Sequence, residues 1–191
     1  MSHGWKIFVV IVTIAGIASL IFAGALFVTG RTVASAVARS VEQSPAAVAG
    51  VADDILPIAL PALYTAQFAT EMAGFKVAAF TAGAPDRHLY LAQAPAYVHI
   101  DPDTLNAQAD GVIFRNRRDE GAMETSMTYD LTVRGRPATA VVREGRNSAG
   151  KPYRELSVVF DSQDGQVLLS ISAPTAEWEL MAVDQVLAAL E

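Results

Sequence analysis

The chain has 191 residues, a net charge of −6 and no cysteine. The absence of cysteine excludes disulfides, zinc–thiolate and iron–sulfur sites, and cysteine nucleophiles. The negative balance argues against nucleic acid as a general partner.

The chain opens on an apolar run, Ile7 to Val28, and no charged residue occurs from Ile7 to Gly30. Only the hydroxyls of Thr13 and Ser19 interrupt the run. A helix of that length spans roughly 33 Å, about the hydrocarbon thickness of a bilayer. Two readings compete: a permanent transmembrane anchor, or a signal peptide cleaved after Ala36-Val37-Ala38 and before Arg39. The run exceeds the usual apolar core of a signal peptide, which favours the anchor. Lys6 on one side and Arg31 and Arg39 on the other nearly balance the positive-inside count. A short head and a long tail place the tail outside the cytoplasm. The sequence therefore predicts a single-pass membrane protein. Its anchor is at 1–30, a stalk follows at 31–56, and an extracytoplasmic domain occupies 57–191. The stalk reads as Ala- and Val-rich, with Pro45 interrupting a helix and Pro57 and Pro61 leading into the domain.

Within the domain, Tyr64–Met72, Phe75–Thr81 and His88–Ala94 read as three short strands joined by turns. A helix is expected next. Asp101 is placed to cap it, Pro102 suits its first turn, and Arg115, Arg117 and Arg118 gather at its end. Met127, Tyr129, Leu131 and Val133 then alternate with Thr128, Asp130, Thr132 and Arg134, the pattern of a half-buried strand. Gly135-Arg136-Pro137 turns the chain into a return strand at Thr139–Arg143. Leu156, Val158 and Phe160 mark another strand, and Asp164-Gly165 a hairpin into Val167, Leu169 and Ile171. Pro174 and Thr175 open a last helix with an apolar stripe at Leu180, Val183, Leu187 and Leu190. The order β-β-β-α-β-β-β-β-α predicts an α+β domain, a mainly antiparallel sheet with two covering helices.

Strand, hairpin Gly165, strand, Ala173-Pro174, Trp178 and a helix through Val183 form an ending that resembles PsbP-like domains. The Leu60-Pro61-Ala62 entry, the Ala73-Gly74-Phe75-Lys76 turn and the His88–Gln93 strand make the chain similar to an uncharacterised family of membrane-anchored bacterial proteins. The first resemblance implies an assembly or binding module; neither implies a catalytic residue.

Candidate sites follow from the chemistry-bearing residues. His99, Asp101 and Asp103, with His88 on a neighbouring strand, could hold a divalent cation. Asp101 and Asp103 already have roles as helix cap and dipole partner, so no cofactor or metal is expected. The same four residues would form the site of the alternative reading, a membrane-tethered hydrolase-like enzyme. No nucleophile elbow, P-loop, dinucleotide fingerprint or HExxH motif is present. Residues 115–154 carry nine of the fourteen Lys and Arg against five acids, so the remainder of the chain is strongly acidic. Arg134, Arg136, Arg143 and Arg146 are the candidate binding residues on this basic edge, toward anionic lipid or an acidic protein. The favoured reading is a non-catalytic binding or assembly module. Its expected partners are the bilayer, through Ile7–Val28, and another membrane or extracytoplasmic protein.

Overall fold

A computed structural model describes residues 41–72, 74–98, 124–146 and 150–190. The apolar run Ile7–Val28 and the expected helix after Asp101 lie outside the described residues. Among those described, no helix is long and apolar enough to cross a membrane.

Among the described residues, eight strands form one sheet. They are β1 (Val41–Glu42), β2 (Tyr64–Met72), β3 (Phe75–Ala82), β4 (His88–Pro95), β5 (Glu124–Val133), β6 (Arg136–Arg146), β7 (Pro152–Asp161) and β8 (Gly165–Pro174). Their spatial order is β1-β2-β3-β4-β8-β7-β6-β5, and every adjacent pair is antiparallel. The expected α+β class and antiparallel sheet are present. Two meanders, β1–β4 and β5–β8, meet where β4 pairs with β8.

Gly165 makes that junction possible. It pairs with Pro95 and has φ +134, and a Cβ there would lie 1.9 Å from the carbonyl oxygen of Ala94. Only glycine lets the backbones approach so closely.

The helices gather on one face. Helix α1 (Pro45–Ile55) starts at Ser44, whose Oγ accepts a hydrogen bond from the amide of Ala47 at 3.2 Å. Val48, Ala52 and Ile55 are buried in one core with Leu89, Leu91, Leu156, Leu169 and Ile171. This corrects the expected stalk at 31–56, because residues 41–55 are part of the fold. Pro45 occupies the first turn of a helix, where its missing N–H costs nothing, and it does not break one.

The last expected helix is also divided. A 3-10 helix runs over Thr175–Met181, Ala182 has φ 49, and helix α2 (Val183–Ala188) follows at a new angle. The break lets Met181, Val186 and Leu190 all reach the same core.

The second face of the sheet has smaller apolar clusters made of strand residues. One is Phe68, Val77 and Ala79; the other is Val159 and Leu168. Continuing from the second along β8, β7 and β6 runs a buried polar strip: Arg143, Glu155, Ser157, Ser170 and Ser172.

Candidate binding groove

The helix-bearing face does not cover the whole sheet. Toward β5 the helices stand off it and leave a groove of about 430 Å³. Its floor is Met127 and Tyr129 of β5, Val142 of β6 and Leu156 of β7. Strand alternation puts these four on one face, since Met127 pairs with Val142 and Val142 with Leu156. The opposite wall is Trp178 of the 3-10 helix with Val183 and Leu187 of α2. Met127 is 57% exposed, an unusual position for a large apolar side chain.

The rim is charged and ordered. Arg154 donates from Nε to Glu144 Oε1 at 2.7 Å, and its guanidinium lies 5.5 Å from the centre of the Trp178 ring. This combines an ion pair with a cation–π contact and fixes the indole as a wall. Asp184 also lines the groove. Burial, then the neighbouring Asp184 charge, raise the Tyr129 phenol above its ordinary range and keep it neutral. A neutral phenol, an indole edge and aliphatic side chains form a surface for an apolar group with a polar end.

The sequence candidates fall elsewhere. Arg134 and Arg136 share a second cleft of about 440 Å³ with Asp53, Asp54, Asp161 and Asp164. Arg134 Nη2 donates to the carbonyl of Pro57 at 2.6 Å, and Arg136 Nη1 to that of Asp161 at 3.0 Å. Arg143 is buried on the polar strip, with Nη1 4.0 Å from Glu155 Oε2. Arg146 lies at the far end of β6 and donates to the carbonyl of Gly150 at 2.7 Å. The four arginines therefore do not share one surface. β6 is long enough to separate its two ends, and its pleat turns Arg143 to the second face.

His88 starts β4 opposite Ser172, with its ring 5.7 Å from that of Tyr90. His99, Asp101 and Asp103 lie outside the described residues. Among the described residues, no group of three or more His, Asp or Glu is placed to hold a metal ion.

The groove residues missed from the sequence are Trp178, Tyr129, Arg154 and Glu144. Trp178 is one of two tryptophans in the chain and the only one within residues 41–191, which is the local signal that marks it.

No protein-family model matches the chain, and no curated protein does. Among solved structures it is similar to that of LpqN, described as involved in cell envelope biogenesis of Mycobacterium tuberculosis. The two share 16% identity over 70% of this chain and 78% of that chain, with a TM-score of 0.35.

Proposed function

We propose that this protein is a single-pass, membrane-anchored binding module that does no chemistry. Its α+β domain is held outside the cytoplasm by Ile7–Val28, and its groove takes an apolar group carrying a polar or charged end. The observation that supports binding is the groove itself: exposed Met127 and half-buried Tyr129 and Val142 facing an indole wall, edged by the Glu144–Arg154 pair. Its volume lies in the range of small-ligand sites, roughly 300–1,000 Å³. The uncharged run of residues at the N-terminus supports the anchor. Partners in the bilayer or on its outer side follow from that placement.

Trp178 is a built-in reporter, because the other tryptophan, Trp5, is absent from a fragment of residues 41–191. Titrating that fragment with 1-anilinonaphthalene-8-sulfonate should quench Trp178 and sensitise the dye in a saturable way. Val183→Glu, on the groove wall, should abolish the transfer while leaving the fold intact. Transfer that is absent, or unchanged in Val183→Glu, would refute the groove reading. For the anchor, the full-length chain should resist carbonate extraction at full mass; a mature form beginning at Arg39 would refute it.

A further inference from the structure

The groove between β5 and α2 has a sign as well as a shape. Its charged lining residues are Glu144, Arg154, Glu179 and Asp184. Three carboxylates against one guanidinium leave two negative charges. The guanidinium is engaged: Arg154 Nε lies 2.7 Å and Nη2 2.5 Å from the same Glu144 Oε1. Among the described residues, Glu179 and Asp184 form no ion pair. Both belong to the helical wall, Glu179 next to Trp178 and Asp184 next to Val183, and both are exposed. After burial, the Asp184 charge is what holds the Tyr129 phenol up, so this carboxylate acts on the aromatic floor as well.

We infer that the ligand of this groove is a small cationic amphiphile, an apolar group ending in an ammonium. The assignment rests on the proposed binding role of the groove and adds the sign of its ligand. The apolar part lies on Met127, Val142 and Leu156, and the ammonium stands by Tyr129 and Asp184. The chemistry of the wall favours that sign twice over. Aromatic faces carry the negative side of a quadrupole and attract cations. Trp178 already takes one, the guanidinium of Arg154 at 5.5 Å from the ring centre. The two carboxylates without a cation add a direct attraction. An anionic end meets the reverse. It competes with Glu144 for Arg154 while Glu179 and Asp184 repel it. An anionic dye therefore binds here by its rings and against the charge of the rim.

The test uses the full chain with Trp5→Phe, in bilayers of uncharged digalactosyl lipid, so that Trp178 alone reports. The probes are benzyltrimethylammonium and phenylmethanesulfonate, which share a benzyl group and differ in the sign of their charge. The cation should change Trp178 fluorescence saturably and bind about tenfold more tightly than the anion at low salt. Near 1 M salt, where exposed charges are screened within about 3 Å, that gap should largely close. Asp184→Asn with Glu179→Gln should weaken the cation about fivefold and tighten the anion. A damaged fold would weaken both, so these opposite movements isolate the charge. Equal affinity for the two probes, or tighter binding of the anion, overturns the inference and leaves the groove as a binding site of another preference. An affinity ratio unchanged in the double variant overturns it too. So does binding of neither probe, and the dye titration of Trp178 then decides whether the groove reading falls with it.

Discussion

The two faces of the sheet solve the same burial problem with different chemistry. On the helix-bearing face, Leu89, Leu91, Leu156, Val158, Leu169 and Ile171 pack under α1, the 3-10 helix and α2. On the other face β7 and β8 turn Ser157, Ser170, Ser172 and Glu155 inward, and β6 adds Arg143, all nearly as buried. Glu155 has no exposed surface; its Oε1 accepts from Ser170 Oγ at 2.8 Å and from Ser157 Oγ at 3.4 Å. Tyr153, also buried, donates to the carbonyl of Asp86 at 2.9 Å, and Ser172 Oγ lies 3.4 Å from its hydroxyl. Apolar packing stabilises in proportion to area whatever its arrangement. A buried polar strip stabilises only while its hydrogen bonds are satisfied, so it fixes register more than it adds stability. The first face holds the fold together; the second specifies how its strands align.

Neighbours on β8 separate the two roles most sharply. Leu169→Asp puts an unpartnered carboxylate into the apolar core and should unfold the domain, a loss above about 4 kcal/mol. Ser170→Ala, one residue on and facing the other way, removes a donor to Glu155 and should cost only about 1–3 kcal/mol. Denaturant midpoints of the 41–191 fragment measure both. Equal losses would mean that the faces do not differ in the way described.

The next test concerns Arg143 and Glu155. Arg143→Leu leaves the buried carboxylate without its neighbouring cation and should cost about 3–5 kcal/mol. Arg143→Leu with Glu155→Leu removes both charges, and should return stability to within about 1–2 kcal/mol of the parent chain. Recovery would show that the pair is not kept for stability. A double variant as unstable as the single one would show that the strip itself holds the sheet.

This contrast also marks where the sequence stops being legible. The alternation over β5 correctly set Tyr129, Leu131 and Val133 inward and Thr128, Asp130 and Thr132 outward. Met127 carried the same signal, yet lies where the helices no longer cover the strand. The alternation over β8 placed Val167, Leu169 and Ile171 in the core, but the same rule reads Ser170 and Ser172 as wet. Polarity in a strand reports which face a residue is on; whether that face meets water depends on the rest of the fold. Helix α1 was hidden because Pro45, a breaker inside a helix, is neutral at its first turn. The groove was hidden because its walls lie far apart in sequence, Met127 and Tyr129 on one side and Trp178 and Val183 on the other.

The smallest expected effect tests the few polar contacts on the helix-bearing face. Tyr64, at the start of β2, donates its hydroxyl to the carbonyl of Met181 at 2.5 Å and ties the sheet to the end of the 3-10 helix. Burial raises this phenol well above its ordinary value of 10.0. The folded state thus favours the neutral form, whereas the unfolded chain ionises near pH 10. The contribution is fully present below that pH and is lost as pH rises further, because the unfolded state releases a proton that the folded state keeps. Tyr64→Phe should cost about 1 kcal/mol at neutral pH, the worth of one hydrogen bond. It should also make the loss of stability above pH 10 shallower, which melting curves from pH 7 to 11 would follow. Tyr129, raised in the same direction, keeps part of the slope in the variant. An alkaline slope unchanged by Tyr64→Phe would mean that the phenol ionises as freely in the folded state as in the unfolded one, and the link between β2 and Met181 would then carry no measurable stability.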